Sequence, residues 1–481
     1  MRVLTTDELY LIHQSTLELL SQVGVKILEE ESLQVLAESG AEVDYDYRIA
    51  KIPERLVDEA IKKAPRSFVL YGRSAKYSTR FEDKNNRVYF HMSGTPGKLL
   101  DLETGRSRPA TVRDLDGFFR LADALENIDH PGVAVLPTDV PGSVVHAYMT
   151  LSGFMNTTKP LDGWNEGKLQ SHDTIRMAME VAGGEEELKR KPRLLAYTQP
   201  VSPLQYTVGT TQGLRIYAEH NQPQIIVPWP QGGATAPVTL AGTLVQQNAE
   251  ILGAVVMAQL FSPGAPVIYG SSATIMDQST GCTSVGGVEV GLMNAAAAQL
   301  ARYYRLPSRA TAGDTDSKIP DAQAGFEKAI TLLMAALSGV NLVDHAAGTL
   351  ESASTACYEQ AVIDNEVCGM VRRVLRGFTI DEETLAVEVI ERAGPGGSFL
   401  SEPHTLRHYK NEVYLPKLAD RESRAMWEKA GSKDLRETAR EEAKKILDQY
   451  CPEPLDHDIE VRLREIVKEI EVREKARNTS K

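Results

Sequence analysis

An acid and an imidazole stand side by side near residue 345. The short apolar run Asn341-Leu342-Val343 is followed by Asp344 and His345, and then by small residues. Such a run bounded by glycine and small residues is typical of a buried strand that leads into a loop. Histidine titrates near neutral pH, so it can move a proton or hold a polar ligand. The pair predicts a catalytic site at a strand end, and a purely structural hydrogen bond is the alternative.

Strand-like runs and amphipathic helices alternate on both sides of this pair. The predicted strands are Val88–Met92, Gly132–Leu136, Leu161–Trp164, Leu194–Thr198, Gln224–Pro228, Val267–Gly270, Arg309–Ala312 and Asn341–His345. Eight such units in about 290 residues indicate a TIM (β/α)8 barrel of the α/β class. An open doubly wound sheet is the alternative, but no G-x-G-x-x-G turn follows the first strand.

The barrel is predicted to carry an extension at each end. We assign residues 1–85 to an N-terminal helical extension with short strands, 86–378 to the barrel and 379–481 to a C-terminal helical extension. Thr5 and Glu8 are placed to form a capping box for the first helix. The helices predicted at Arg436–Tyr450 and Asp458–Glu471 mix acids and bases at i,i+4 spacing. That pattern favours solvent-facing or inter-subunit surfaces and hence a homo-oligomer.

Composition excludes several classes of function. A formal net charge of −13 disfavours a nucleic-acid partner. The four cysteines are scattered, so neither a disulfide framework nor a cysteine-rich zinc site is expected. The N-terminus lacks the zones of a signal peptide, and no apolar run reaches the roughly 20 residues that span a bilayer. We therefore expect a cytoplasmic protein without a membrane role.

The carboxyl ends of the strands are where a TIM barrel places its active site. The residues directly after the predicted strands are His91, Asp139, Trp164, Asn165, Glu166, Tyr197, Gln199, Trp229, Gln231, Ser271, Ser272, Asp314, Asp316, Asp344 and His345. Two of the three tryptophans of the chain are in this set. The set predicts a polar pocket with aromatic walls.

Aromatic residues at these ends suggest a cage for a cation. Trp164 and Trp229, together with Tyr197, Tyr206 and Tyr269, would attract a quaternary ammonium through their electron-rich ring faces. The alternative is that each tryptophan packs a loop. Glu166, Asp314 and Asp316 would add negative charge to such a site, and helix capping is the alternative for the two aspartates.

No metal is expected in this site. Zinc or iron requires converging Cys, His or carboxylate ligands, and the one short-spaced pair, His404 and His408, falls outside the barrel units. Gly348, after the last strand, is placed to present backbone amides to an anion at a helix N-terminus, with an ordinary βα turn as the alternative. We take Gly348 and Ser271 as candidate contacts to a cofactor.

Three longer segments carry a resemblance to a known family. They are PVTLAGTLVQQNAEILGAVVMAQLFSPGAPVIYGS (residues 237–271), DSKIPDAQAGFEKAITLLMAALSGVN (316–341) and LESASTACYEQAVIDNE (350–366). They resemble the trimethylamine:corrinoid methyltransferase family, and the likeness is collinear over essentially the whole chain.

The resemblance implies a TIM barrel that moves a methyl group from a methylated amine to the cobalt of a separate corrinoid protein. In that family the trimethylamine enzymes carry pyrrolysine, whereas this chain has only standard residues. It is therefore similar to the non-pyrrolysine branch, whose known substrates are quaternary amines such as glycine betaine. The corrinoid is expected to arrive on its own protein, so this chain is expected to bind no cofactor tightly.

The chemistry of a quaternary amine fits that branch. Its charge is permanent and its leaving group is a neutral amine, so the site needs to position and desolvate the substrate rather than protonate it. We expect Trp164, Glu166, Tyr197, Gln199, Trp229, His91, Asp314 and Asp316 to contact the substrate, and His345 to orient it. Asp344 would fix the tautomer of His345 or hold the cation, and Arg309 or amides near Gly348 would anchor a carboxylate.

Three other functions stay open. A betaine-binding protein without transfer activity would share the cage, and a methyltransferase for another methylated amine would share the barrel. A lyase on the same fold would instead need His345 as a proton-transfer group.

Overall fold

The computed structural model describes residues 1–83, 87–92 and 94–479 of the chain. Its first elements are α1 (Thr6–Glu18), β1 (Val25–Ile27), α2 (Glu30–Glu38), β2 (Glu42–Asp44), β3 (Ile49–Lys51), α3 (Glu54–Lys63), β4 (Ser67–Leu70) and β5 (Thr79–Glu82). The predicted capping box is confirmed, because the Glu8 N–H donates to Thr5 Oγ1 at 3.3 Å and Glu8 accepts the Thr5 N–H at 2.7 Å. The predicted boundary at residues 85–86 lies outside the described residues.

The central segment alternates strands and helices. Its elements are β6 (Tyr89–Phe90), β7 (Lys98–Leu100), β8 (Ser107–Pro109), α4 (Val112–Ala124), α5 (Val145–Asn156), β9 (Leu161–Gly163), α6 (Lys168–Ala182), α7 (Glu185–Arg190), β10 (Leu194–Thr198), β11 (Gln205–Tyr206), α8 (Val208–Glu219), β12 (Gln224–Ile226), β13 (Gln231–Gly232), α9 (Leu240–Phe261), β14 (Val267–Ser271), β15 (Thr274–Met276), β16 (Thr283–Ser284), α10 (Val288–Tyr304), β17 (Ser308–Thr311), α11 (Ala322–Leu337), β18 (Leu342–Asp344), β19 (Thr349–Leu350), β20 (Thr355–Cys357) and α12 (Tyr358–Arg376). Seven strands form one parallel sheet in the order β6-β18-β17-β14-β12-β10-β9. Seven of the eight predicted strands are thus confirmed.

The prediction of a strand at Gly132–Leu136 is wrong. This segment runs beside the residues that follow β6, and the Thr95 N–H donates to the Val133 carbonyl at 3.1 Å, but no ladder forms. Pro131 has no N–H to donate, and Gly132 has a φ of +58°, outside the β region. A side chain at Gly132 would collide with the Met92 carbonyl oxygen, 1.7 Å from an ideal Cβ. The close approach of this segment to the backbone at Met92 therefore takes the place of regular strand pairing.

The parallel sheet is rolled so that side chains from its two edges meet. His91 follows the edge strand β6, and Asp162 lies in the opposite edge strand β9. His91 Nε2 is 2.9 Å from Asp162 Oδ1. A flat sheet would separate these edges by the width of five intervening strands. The contact therefore shows that the strands surround a common interior.

Two small sheets stand at the carboxyl end of the strands. One contains β13, β15 and β16, which come from the segments after β12 and β14. The other contains β19, β20, β7 and β8, which come from the segments after β18 and β6. We call this end of the sheet the mouth. Its loops are hydrogen-bonded structures that hold side chains at defined positions.

The extensions cover helices that would otherwise expose apolar surface. α9 is rich in apolar residues and is almost entirely buried from Thr243 to Gln259, and α1 and α3 pack against it. A helix of that kind is stable only where it is covered on all sides. The N-terminal extension therefore acts as an outer layer for α9.

The C-terminal helices are α13 (Glu382–Leu385), α14 (Val387–Ala393), α15 (Pro403–Glu412), α16 (Arg424–Lys429), α17 (Leu435–Gln449) and α18 (His457–Thr479). The two long, charge-rich helices were expected to face solvent or another subunit. Instead α17 packs on α4 and α12, and α18 packs on α5 and α6. Leu463, Ile466, Val467 and Ile470 of α18 are buried in the main hydrophobic core. Most charged residues of α17 and α18 lie on their outer faces, although Glu474 of α18 is buried. Among the described residues, no helix is long and apolar enough to cross a lipid bilayer.

The packing of α18 predicts a selective loss of stability. Ile466 is fully buried, whereas Val472 on the same helix is 68% exposed. We expect Ile466→Ala to lower the free energy of unfolding by about 2–5 kcal/mol, because it leaves a cavity in the core. Val472→Ala is the matched control and should change it by less than about 0.5 kcal/mol. Urea unfolding followed by circular dichroism measures both, and equal effects would contradict the packing described.

Candidate functional site

A buried ionic network lies inside the rolled sheet. Asp344, at the end of β18, accepts hydrogen bonds from His91 Nδ1 at 2.6 Å and Arg309 Nε at 2.9 Å. It also accepts the backbone N–H of His345 at 2.8 Å. His91 contacts Asp162 with its other ring nitrogen. With His91 protonated, the network holds two cations and two anions, which is the pairing that buried charges require.

The protonation states follow from these contacts. Burial alone would lower the pKa of His91, but the carboxylates of Asp162 and Asp344 outweigh it and raise that pKa to about 10. Burial would raise the pKa of Asp344, but Arg309 and His91 hold it well below its usual range. Both groups are therefore charged at neutral pH.

Tyr197 and Arg309 complete this network and are fully engaged in it. The Tyr197 hydroxyl is 3.3 Å from His91 Nε2, and burial raises the pKa of Tyr197 well above its ordinary value. Arg309 Nη1 donates to the Ser271 carbonyl, the Ser272 hydroxyl and the Thr311 hydroxyl at 2.6–2.9 Å. Arg309 was a candidate anchor for a substrate carboxylate, but its donors are occupied inside the sheet.

A second cluster lies nearer the mouth and contains His345. Its Nδ1 is 2.7 Å from Asp314 Oδ2, and Thr349 donates to Asp314 Oδ1 at 2.6 Å. The partner that orients the His345 ring is therefore Asp314 and not the adjacent Asp344, which corrects the expected pairing. Burial would raise the pKa of Asp314, but the contact with His345 outweighs it and lowers that pKa. Nε2 of His345 makes no hydrogen bond to the described part of the chain.

The backbone directs His345 away from its neighbour in sequence. His345 has a φ of +60°, in the left-handed region that histidine enters more readily than most residues. This conformation sends the Asp344 side chain into the interior network and the His345 ring toward Asp314. His345 is 7% exposed, so its ring lies at the floor of the mouth.

A buried ion pair holds the two loops that carry Asp314 and Thr349. Lys328 of α11 donates to the Gly313 carbonyl, and its Nζ is 3.1 Å from Asp364 Oδ2 of α12. Asp364 in turn accepts the Gly348 N–H at 2.9 Å. Lys328 and Asp364 are both completely buried. The pair thus fixes the loop after β17 and the loop after β18 relative to each other.

Trp229 is the aromatic residue beside this cluster. Its ring centre is 6.5 Å from that of His345, with the planes at 72°. Its Nε1 donates to Thr274 Oγ1 at 3.1 Å, and 37% of the residue is exposed. Asp314, His345 and Trp229 therefore place a carboxylate, an imidazole and an indole together at the mouth.

Three other predicted substrate residues form a separate group. Trp164 Nε1 donates to the Glu166 carbonyl at 3.0 Å. The Glu166 carboxylate accepts from Thr207 at 3.0 Å and from Thr210 at 3.3 Å. Thr210 also reaches the carbonyl of the exposed Gln199. These contacts organise the start of α8, and none of them links this group to His345.

Asp316, Ser271 and Gly348 are engaged with the protein itself. Asp316 accepts from Ser284, Val285 and Ser352 at 2.7–3.0 Å and so joins three mouth loops. Ser271 is buried and donates to Gln247 at 3.1 Å. The Gly348 N–H is bonded to Asp364, as described above, so neither candidate cofactor contact presents a free donor.

The cage prediction is wrong for two tyrosines. Tyr206 is fully buried and its hydroxyl donates to the Glu250 carbonyl. Tyr269 is also fully buried, donates to Asn248 of α9 at 2.9 Å and stacks on Tyr304. Tyr269 lies in β14 of the parallel sheet and its ring faces the covering helix α9, whereas Tyr206 lies in β11, outside that sheet, and its hydroxyl also contacts α9.

Four residues that shape the site are absent from the set predicted from the sequence. They are Asp162, Lys328, Thr349 and Asp364. Asp162 had a usable signal, because a charged residue inside a strand that is buried on both faces needs a partner. Lys328 and Asp364 had none, since each lies on a helix among ordinary polar positions.

Sequence comparisons with known proteins agree on one family. A family model described as trimethylamine methyltransferase (MTTB) matches residues 1–474. The chain is 42% identical over 465 residues to trimethylamine methyltransferase MttB of Desulfitobacterium hafniense, covering 97% of this chain and 93% of that one. It is 36% identical over 466 residues to a glycine betaine methyltransferase of the same species, covering 97% and 96%. The solved structure of monomethylamine methyltransferase from Methanosarcina barkeri covers 93% of this chain and 88% of its own, with a TM-score of 0.55 and 13% identity, which shows a shared fold.

The interior network predicts a loss of stability at alkaline pH. The raised pKa of His91 means that its ion pairs contribute fully below about pH 6.5 and are lost as the pH rises through about 10. We expect the free energy of unfolding to fall over this range by on the order of 4 kcal/mol through His91 alone. His91→Gln should flatten the fall, whereas His457→Gln, at an exposed position, should leave it unchanged.

The urea concentration at the midpoint of unfolding, measured at several pH values for the wild type and each variant, tests this prediction. Asp162→Asn supplies a second variant, because removal of one of the two anions lowers the pKa of His91 and moves the loss to lower pH. Identical pH profiles for the wild type and His91→Gln would show that His91 is not charged in the folded state.

Proposed function

The chain belongs to the trimethylamine methyltransferase (MTTB) family and is a methyltransferase, and from that premise we propose that it demethylates a quaternary amine. The acceptor that we propose is the cobalt of a separate corrinoid protein that docks over the mouth. The observation that carries the proposal is the meeting of Asp314, His345 and Trp229 at the carboxyl end of the sheet.

We infer further that the rolled sheet is a complete (β/α)8 barrel. Residues 130–136 run beside the segment after β6 and occupy the eighth position without forming a ladder. His91 bonds to residues on both sides of this position, Asp344 in β18 and Asp162 in β9. All strand ends then face one mouth, which is where a barrel enzyme carries its chemistry.

The charge of the cluster suits a permanent cation. Asp314 is ionised, because contact with His345 lowers its pKa, and it supplies a buried negative charge near the substrate. The exposed part of Trp229 supplies a ring face, which attracts a quaternary ammonium. We assign to His345 the task of contacting the substrate through Nε2, with Asp314 fixing the orientation of the ring.

The transfer itself requires no proton. The bond between the methyl carbon and the nitrogen breaks, its electron pair stays on the nitrogen, and a neutral tertiary amine leaves. The corrinoid supplies a reduced cobalt as the nucleophile when its protein is docked. The residues of this chain hold the amine with one methyl group directed out of the mouth and keep water away from it.

The contacts of the candidate cofactor residues support a corrinoid that is held by its own protein. The Ser271 hydroxyl and the Gly348 N–H are both used within the chain. Neither offers a donor to a propionamide or phosphate group of a corrinoid. We therefore propose that this chain contacts the corrinoid protein through the outer loops of the mouth.

The names of the relatives leave two substrates to be distinguished. One relative is named for trimethylamine and another for glycine betaine. Trimethylamine is protonated and loses a methyl group only as the ammonium form, and in this family its enzymes carry pyrrolysine, which this chain lacks. We therefore favour glycine betaine or a related betaine.

A panel of methyl donors tests the proposed function. The purified protein is mixed with free cob(I)alamin and either glycine betaine, another betaine, trimethylamine or dimethylglycine. We expect methylcobalamin, detected by its absorption spectrum, with at least one betaine and little or none with trimethylamine. Methylation by trimethylamine alone would overturn the assignment of the substrate class.

Substitution of Trp229 tests the recognition of charge. The wild type should bind glycine betaine more tightly than 3,3-dimethylbutanoate, in which a neutral carbon replaces the quaternary nitrogen. We expect Trp229→Ala to weaken betaine binding by roughly 3- to 30-fold, the equivalent of about 0.5–2 kcal/mol, and to reduce this preference. Trp229→Phe should retain most of it.

Trp427 provides the matched control, because it lies on α16, outside the mouth. Trp427→Ala should leave the KM for betaine and the ratio of the two affinities unchanged. If Trp229→Ala weakened the charged and the neutral ligand equally, Trp229 would act through shape alone and not through its ring face.

A further inference from the structure

The segment between α12 and α17 has almost no hydrophobic core. We call residues 378–433 the C-terminal arm, and it contains the short helices α13, α14, α15 and α16. Val389 is the one buried residue in the arm, all of which the structure describes. Helices of this length are unstable by themselves in water, and small units without a core usually depend on a cross-link or a bound metal.

Two histidines face each other on one helix of this arm. His404 and His408 are one turn apart on α15, and their ring centres are 4.3 Å apart. The sequence alone supplied no third ligand for this pair. The fold supplies one, since Glu383 of α13 lies against both rings.

The contacts of Glu383 place three ligand atoms together. His408 Nε2 is 3.1 Å from Glu383 Oε1, and His404 Nε2 is 3.0 Å from the Glu383 carbonyl oxygen. One ligand atom from each of the three residues lies within 4.8 Å of the other two. Tetrahedral zinc sites place such atoms about 3.3 Å apart, given metal–ligand bonds of about 2.0–2.2 Å. A small movement of exposed side chains therefore brings them into coordination.

Arg407 competes for the same carboxylate. Its Nη2 is 2.7 Å from Glu383 Oε1, and the guanidinium, with His408, lowers the pKa of Glu383 to about 2. The carboxylate is thus ionised, as a metal ligand must be. The ion pair is exposed on both sides, and pairs of this kind contribute little free energy, so a metal can displace the arginine.

We propose that Glu383, His404 and His408 bind one zinc ion, which joins α13 to α15 and stabilises the C-terminal arm. Two imidazoles and one carboxylate form a ligand set that zinc commonly takes, with water in the fourth position. The alternative is that the three residues form only the hydrogen bonds described. The three residues are not among those that form the mouth, so a test of zinc binding does not depend on the proposed methyl transfer.

Titration of the chelator-treated, full-length chain with Zn²⁺ tests the site. We expect calorimetry to give one ion per chain, and Co²⁺ to give the intense visible absorption of a tetrahedral complex. His404→Gln, His408→Gln and Glu383→Gln should each weaken Zn²⁺ binding by roughly 100-fold or more, because loss of a direct ligand costs more than the roughly 10- to 100-fold that loss of an outer-shell partner costs. His457→Gln, at an exposed histidine outside the arm, should bind as the wild type does.

Arg407→Gln gives a prediction of the opposite sign. Removal of the competing guanidinium frees Glu383, so this variant should bind Zn²⁺ more tightly than the wild type, by roughly two- to fivefold, because an exposed ion pair competes only weakly. Zn²⁺ should also slow proteolytic cleavage within the arm of the wild type and of Arg407→Gln, but not of His404→Gln. Far-ultraviolet circular dichroism verifies that each variant remains folded.

Two outcomes would overturn the proposal. If Glu383→Gln bound Zn²⁺ as tightly as the wild type, Glu383 would not be a ligand and the two histidines would be only an adventitious site for the ion. Unchanged binding in both histidine variants would place the ion elsewhere on the chain.

Discussion

The ion pairs of Asp344 are the constraint on which the rest of the structure depends. Asp344 receives His91 from one edge of the sheet and Arg309 from the neighbouring strand β17, while His91 reaches Asp162 on the opposite edge. Removal of any one partner leaves a buried charge without compensation, which costs about 3–5 kcal/mol. The network therefore joins the edges of the sheet at the level where the mouth begins, and it keeps these charges out of the site itself.

The mouth is built on this base by a second and separate set of contacts. His345 turns away from Asp344 and pairs with Asp314, whose loop is held by Lys328, while Asp364 holds the loop after β18. Asp314 thus fixes the His345 ring, and the buried Lys328 and Asp364 fix the loops that carry both residues. For a methyl transfer that needs no proton, this rigidity matters more than acid–base chemistry, because the reacting methyl group must point along one direction.

The outer layers follow a different physical rule. α9 is covered by α1 and α3, and α5 and α6 are covered by α18 through an apolar stripe beneath its charges. The C-terminal arm has no such stripe, since only Val389 in it is buried. The arm is therefore the part of the chain whose order depends least on hydrophobic burial, and the zinc site proposed at Glu383, His404 and His408 would stabilise it by other means.

The sequence by itself determined the elements and the family. Periodicity placed seven parallel strands within two residues of their observed ends, and the long collinear resemblance identified the methyltransferase family. Periodicity failed at Gly132–Leu136, where a proline and a close backbone contact override an apolar run. It also could not pair side chains: Asp344 and His345 are neighbours in sequence, yet a positive φ sends them to different partners. Only the tertiary structure decided that Asp314 orients His345, that Arg309 is fully engaged and that Tyr206 and Tyr269 are buried against α9. The physical reason is that such pairings join residues far apart in the chain, where no local pattern records which side chains will meet.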